Sequence, residues 1–259
     1  MRLGVELEGF VYDQNGPVDV FSFLCNSKGK EEWRLEKGVV KTDAGKHMIE
    51  ISLDPVERDQ INQIPQMIKD ILVQLPCSWM FIWKGIDGVS YTKEGLMTMW
   101  AAKERYRQIW KALEKEVGEK WVGVLDMCRL ASTHVHLEIS PNSPQGIQIL
   151  NLFNRPNPLF KWCSETRKKI WQNGLWADVR RLPRPRQFES PEHLFEFWDS
   201  IPSLLSGERT FPDPLREGTT WWWARPRWSL GTVEIRIADS MSPDNLPEYI
   251  NELLWLIKQ

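Results

Sequence analysis

The stretch Thr133-His134-Val135-His136-Leu137-Glu138-Ile139-Ser140 alternates polar and apolar residues without a break. In an extended strand the side chains i, i+2 and i+4 share a face. His134, His136 and Glu138 would therefore project together, and Val135, Leu137 and Ile139 would project oppositely. Two imidazoles and a carboxylate on one face can ligate a cation, and the alternative is an amphipathic strand with a solvated polar face. Three further segments repeat the design. Arg2 to Asp13 sets Glu6 and Glu8 against Leu3, Val5, Leu7 and Val11. His47 to Leu53 sets Met48, Glu50 and Ser52 against Ile49, Ile51 and Leu53. Gly231 to Ser240 sets Thr232, Glu234 and Arg236 against Val233, Ile235 and Ile237.

If these strands share one sheet, several carboxylates and two imidazoles converge. Two carboxylates about 4 Å apart cost on the order of 4 kcal/mol at an effective dielectric of about 20. Such clusters persist when protons or cations neutralise them. Carboxylate-rich sites with few nitrogens suit Mg²⁺ or Mn²⁺, and zinc is the runner-up because histidine and glutamate also ligate it. Solvated strand faces normally mix in Lys, Thr and Ser, whereas these faces carry mostly acid and imidazole.

The elements that would position these groups follow in order along the chain. Asn15-Gly16 signals a hairpin turn, with Val18 to Leu24 returning as its second strand. Lys28 to Lys46 reads as a hairpin or a loop of short strands. Asp54-Pro55-Val56-Glu57 reads as a capped helix start, followed by a stripe of Ile61, Ile64, Ile68, Ile71, Leu72 and Leu75 that Pro65 should kink or split. Ser78 to Trp83 is a short strand. The periodicity of Met97, Trp100, Ala101, Tyr106, Trp110 and Leu113 predicts one long helix from about Gly95 to Gly118. Helices are expected over Ile147–Phe153, Leu159–Trp171, from Ser190 to about Leu205, and over Asn245–Ile257. Loops are expected at Leu182–Arg186 and Gly207–Thr219, and strands at Trp221–Ala224 and Leu230–Ser240. Strands grouped between helices indicate α+β architecture rather than βαβ alternation. No internal repeat or linker divides residues 1–259, so one domain is expected.

Composition bounds the function. The chain has 259 residues, of which 42% are hydrophobic, enough to fill a substantial core. A formal net charge of −2 gives no long-range attraction to nucleic acid or an anionic membrane. No apolar run reaches the length of a membrane span and no signal peptide is evident, so a cytoplasmic protein is expected. Cys25, Cys77, Cys128 and Cys163 form no CxxC pair and read as reduced, mostly buried residues. Neither GxGxxG nor GxxxxGK[ST] occurs. Among fifteen tryptophans, Trp79, Trp83, Trp100, Trp110 and Trp121 lie in core-like contexts, and the run Trp221 to Trp223 belongs either to the core or to a substrate pocket.

Gly4-Val5-Glu6-Leu7-Glu8, His47-Met48-Ile49-Glu50-Ile51-Ser52, Thr133-His134-Val135-His136, and Trp222-Trp223-Ala224-Arg225-Pro226 with Gly231 to Arg236 occur in the order seen in a known family. Together they resemble the glutamate–cysteine ligase type 2 family of carboxylate–amine ligases and the amidoligases that share its glutamine-synthetase-like fold. The resemblance implies a curved antiparallel sheet with helices packed on one face, the other holding ATP and Mg²⁺. It implies a substrate carboxylate activated as an acyl phosphate and then joined to an amine, giving an amide or peptide bond, the γ-glutamyl type being one form. Carried over by position, Glu6, Glu8, Glu50, His134 and Glu234 are metal ligands and His136 contacts nucleotide phosphate. Arg236 steadies the transferring phosphoryl group, and Arg225 holds phosphate or the substrate carboxylate. Asp43 and Glu138 stand apart as acids without a firm counterpart.

The chain departs from the family at Phe160 to Arg167, where the amino-acid pocket is built. The carboxylate and the amine, small molecules or peptides, are therefore left open. Arg167, Arg180, Arg181, Arg184 and Arg186 either serve a different carboxylate or form solvated surface charge. A metal-dependent phosphotransferase or hydrolase on the same sheet, and a non-catalytic nucleotide-binding relative, are the competing functions. Retention of mutually repelling acids speaks against the latter.

Overall fold

A computed structural model describes residues 1–88, 92–99, 103–117, 128–168, 186–200, 217 and 222–259. Its strands are β1 (Arg2–Asp13), β2 (Gly16–Pro17), β3 (Glu32–Leu35), β4 (Gly38–Lys41), β5 (Met48–Leu53), β6 (Val56–Glu57), β7 (Met80–Ile82), β8 (Thr133–Leu137), β9 (Ala224–Arg227) and β10 (Thr232–Ile235). The helices are α1 (Val20–Lys28), α2 (Ile64–Leu72), α3 (Lys93–Met99), α4 (Glu104–Val117), α5 (Pro144–Phe153), α6 (Pro191–Ser200) and α7 (Leu246–Ile257). The architecture is α+β. One antiparallel sheet, open at both ends, runs β3-β4-β5-β1-β8-β10-β9, and β2, β6 and β7 also pair with β1.

Alternation decides which way the sheet faces. Val5, Leu7, Ile49, Ile51, Val135, Leu137, Val233 and Ile235 are all buried in one apolar cluster. Burying each such side chain contributes roughly 1.5–3 kcal/mol, so a register slip of one residue, which would expose the whole set, is strongly disfavoured. Ile64, Ile68 and Ile71 of α2, Ile147 and Leu150 of α5, and Ile250, Leu253 and Leu254 of α7 complete the same cluster. These helices lie beneath the sheet, and its acidic face is turned away from them. Among the described residues no helix is long and apolar enough to cross a membrane.

Several local expectations are corrected. Val18 to Leu24 does not return as a strand, because the ladder stops at Pro17 and Asp19 caps a helix by accepting the Ser22 N–H. That helix ends at Gly29. The helix start expected at Asp54 is displaced. Glu57 and Gln60 form the capping box, Arg58–Gln63 is a 3₁₀ turn, and Pro65 sits in the first turn of α2 and separates the two. The single helix expected over Gly95–Gly118 is two, α3 and α4, with Lys103 outside both and its ammonium on the Thr42 carbonyl. Of its stripe, Tyr106 is buried, while Trp100, Ala101, the side chains of Trp110 and Leu113, and Gly118 lie outside the described residues. Leu159–Trp171 begins as a 3₁₀ turn, Pro158–Trp162. The last strand is shorter than expected, since Trp228–Leu230 is a 3₁₀ turn closed by Gly231 at φ 65°.

Trp79 and Trp83 are partly buried against the core, and Trp222 is buried among Phe188, Phe197 and Trp198, which supports the core reading for that residue. The cysteines are free. Cys128 and Cys163 are buried, but Cys77 is exposed. Trp121, Arg180, Arg181, Arg184, Trp221, the loops expected at 182–186 (except Arg186) and 207–219 (except Glu217), and the end of the helix near Leu205 lie outside the described residues.

Candidate active site

The strand register brings the polar faces together. Across β1, Glu6 stands between Ser52 and His134, and Glu8 is opposite Glu50. His136 stands between Gly4 and Glu234, Glu234 is opposite Arg225, and Glu50 is opposite Lys41. Residues directly opposite in an antiparallel ladder share a face, so one continuous surface runs from Lys41 to Arg225. Gly4 makes room for an imidazole, since a Cβ there would lie 3.1 Å from that of His136.

The acids separate into two groups, each with ligand atoms within 4.8 Å of one another. One is Glu8, Asp43 and Glu50, and the other is Glu6, His136 and Glu234. The groups differ electrostatically. In the first, burial and then the charges of Asp43 and Glu50 push the Glu8 carboxyl well above the usual range. Glu50 is also raised, chiefly by burial and then by Glu6 and Asp43, although Lys41 lies 2.8 Å from its Oε1 and opposes the shift. Each acid has one oxygen anchored. Glu8 Oε2 accepts the Ser132 N–H at 2.6 Å, Glu50 Oε1 accepts the Ser52 hydroxyl at 2.9 Å, and Asp43 Oδ1 accepts the Tyr106 hydroxyl.

His134 sits between the groups. Burial, followed by repulsion from Arg236, lowers its pKa to about 4, so the ring is neutral at pH 7. Nδ1 donates to Glu6 Oε2 at 3.1 Å, which leaves the Nε2 lone pair bare. That nitrogen is buried, has no hydrogen bond among the described residues, and lies 3.6 Å from Glu8 Oε1. Two lone pairs thus face each other across a gap that only a proton or a cation fills favourably. Glu8, Asp43, Glu50 and His134 Nε2 are consequently a donor set that fits a hard divalent ion.

The second group is already compensated. Burial alone would raise Glu6, but the hydrogen bond from His134 and the nearby His136 ring outweigh it and hold the carboxyl well below the usual range. His136 Nε2 is 3.5 Å from Glu6 Oε1, and its Nδ1 is 3.3 Å from the Thr232 hydroxyl. Glu234 is fully buried and likewise held well below the usual range, because Arg225 and Arg236 outweigh the burial. Arg225 donates to it at 2.7 and 3.0 Å, Arg227 at 3.0 Å and Arg236 at 2.8 Å. Burial and then repulsion from Arg236 lower the Arg225 pKa to about 10, which leaves it charged at neutral pH. Beside Glu6 and His136 opens a cleft of about 270 Å³ with Leu53, Pro55 and Leu230 on its apolar walls.

The eight residues singled out from the sequence (Glu6, Glu8, Glu50, His134, His136, Arg225, Glu234 and Arg236) thus fall on one surface, and Asp43 joins them. Glu138 lines the cleft with His136 but is not among them. The strand ends at Leu137, and Glu138 is exposed in a bidentate pair with Arg2. Arg167 is neither a surface charge nor a ligand-binding group. It is buried and donates to the carbonyls of Ala131, Ala238 and Arg236. Lys41, Arg227, Tyr106 and Glu217 were not anticipated. Lys41 and Arg227 were legible by alternation, two positions from Val39 and Arg225. Tyr106 and Glu217 carry no local signal.

Comparison with known protein families and with curated proteins finds no match. Among solved structures, a bifunctional glutathione synthetase from Pasteurella multocida is 13% identical with a TM-score of 0.47, and the alignment covers 99% of this chain and 38% of that one. Glutamate–cysteine ligase from Francisella tularensis, in complex with AMP, is 13% identical with a TM-score of 0.49, covering 99% and 66%. This chain thus spans less than two thirds of the length of either protein, and at these values the similarities carry no argument about what it binds or does.

Proposed function

We propose that this chain is an ATP- and Mg²⁺-dependent carboxylate–amine ligase. The observation that carries the reading is the pairing, on one sheet face, of a largely buried, acid-rich donor set with a cluster of three arginines. The ordered sequence motifs supply the reaction. Glu8, Asp43, Glu50 and His134 would hold a divalent ion, with Glu6 and His136 placed for a second. When bound, such an ion neutralises charge on nucleotide phosphate oxygens.

The chain's own residues would do the rest by positioning. Phosphoryl transfer asks for alignment and charge stabilisation more than for a covalent nucleophile. Arg225, Arg227 and Arg236 present guanidinium forks that match phosphate and carboxylate oxygens. In the first step a substrate carboxylate oxygen attacks the γ-phosphorus of ATP and ADP leaves. In the second an amine nitrogen attacks the acyl carbon, inorganic phosphate leaves, and the amine proton passes to solvent or product phosphate. The partners are a small-molecule or peptide carboxylate and an amine.

Calorimetric titration with a non-hydrolysable ATP analogue, with and without Mg²⁺, tests the reading directly. Binding that Mg²⁺ strengthens at least about tenfold is expected, and binding indifferent to Mg²⁺, or no binding, would overturn the assignment. Product mass against panels of carboxylates and amines then separates ligation, which yields ADP and an amide, from phosphate transfer or hydrolysis, which yields no amide.

A further inference from the structure

We infer that Glu234 is a positioning residue that gathers Arg225, Arg227 and Arg236 into a cradle for a polyphosphate anion, and that it is not a cation ligand. The inference rests on the ligase reading only for the identity of that anion as the ATP phosphate chain.

A carboxylate offers about four lone-pair sites. At Glu234 they are all taken. Oε1 accepts from Arg225 Nη2 and Arg236 Nη1, and Oε2 accepts from Arg225 Nε and Arg227 Nη1, at 2.7–3.0 Å. The side chain is fully buried, so no lone pair faces solvent. A cation at either oxygen would have to displace a guanidinium, and it would then sit beside three positive charges. Glu8, although buried too, has an oxygen facing a bare imidazole nitrogen and no arginine bonded to it among the described residues.

Arg227 and Arg236, by contrast, have capacity left. Three guanidinium charges surround one carboxylate. Glu217 offsets part of the surplus, with Oε2 3.5 Å from Arg227 Nε, while it also accepts the N–H of Ser229 and so braces the turn after β9. Arg227 Nε and Arg236 Nε are buried and have no hydrogen-bond acceptor among the described residues. A polyanion would supply the missing charge and acceptors. Arg225 and Arg227 are two apart on one strand, and Arg236 follows the neighbouring strand, so the guanidinia converge from both sides of Glu234.

The test measures anion and cation binding separately on the full chain. Without metal, inorganic tripolyphosphate should bind the wild type, and Glu234→Gln should weaken it roughly 10- to 100-fold, as expected when charge-assisted hydrogen bonds are lost. Mn²⁺ bound without nucleotide, counted by loss of the free-ion paramagnetic resonance signal, should be the same in both proteins. A lost Mn²⁺ site in Glu234→Gln, or unchanged tripolyphosphate affinity, would overturn the inference. If that variant fails to fold, Arg227→Gln serves. The cradle expects weaker tripolyphosphate binding at unchanged Mn²⁺ affinity, whereas tighter Mn²⁺ binding, from unmasking Glu234 as a ligand, would overturn it. Should the wild type bind tripolyphosphate but no adenine nucleotide, the ligase reading falls and the cradle stands.

Discussion

Glu8→Gln should stabilise the metal-free protein while removing its response to divalent cations. Ligand atoms of Glu8, Asp43 and Glu50 lie within 4.8 Å of one another. One fully ionised pair at that distance costs about 3.5 kcal/mol at an effective dielectric of about 20. A bound proton relieves part of this in the empty site, so the expected gain is about 1–3 kcal/mol. For a chain of this size that raises the melting temperature by about 2–10 °C. Glutamine keeps the acceptor for the Ser132 N–H, and its amide can donate to the neighbouring acids, so the fold loses little.

The sign with pH follows from the raised Glu8 pKa. Between the ordinary glutamate value, about 4.3, and that raised value, the native state binds more protons than the unfolded one, so the Glu8 contribution to stability falls as pH rises. The advantage of glutamine is therefore absent below this window and complete above it. Thermal melts by circular dichroism, across pH and with and without Mn²⁺, provide the readout. A variant that melts lower than wild type above neutral pH without metal, or that gains as much from Mn²⁺ as wild type does, would refute the reasoning.

Three further outcomes are expected. Because Glu8 is raised well above the usual range, Mg²⁺ binding should release protons and tighten with pH, measurable by calorimetry in buffers of different ionisation enthalpy; release of none would contradict the assigned ligands. Arg167→Ala should destabilise the fold by about 3–5 kcal/mol in denaturant titration, because it strips a buried charge from three carbonyls and from Asp239 at 3.4 Å. Arg2→Ala should return the Glu138 titration, held at about 2 by its hydrogen bonds to Arg2, to the ordinary range by nuclear magnetic resonance, and it should leave Mn²⁺ binding by the Glu8 group unchanged.

How much of the site was readable follows the length scale of each interaction. Side-chain alternation is local, with a period of two, and so it marked Glu6, Glu8, Glu50, His134, His136 and Glu234 as members of polar faces before any pairing was known. It would also have reached Lys41 and Arg227. It placed Glu138 beside His136, and both line one cleft, but alternation does not reveal where a strand ends. There the chain leaves the ladder and Arg2 claims the carboxylate. Helix boundaries failed for a similar reason at Val18 to Leu24, where a proline and a cap outweighed the apolar pattern.

The sequence by itself thus determined the α+β class, the acid-bearing strands and the kind of chemistry their side chains can do, because these depend on residue type and short-range geometry. Tertiary structure alone decided which acids are short of positive charge. Register placed Glu8 against Glu50 and Glu234 against Arg225, a loop and a helix brought Asp43 and Tyr106, and two glutamates ended with opposite pKa shifts. Neutralisation is a sum over neighbours remote in sequence, and no single stretch of the chain contains it.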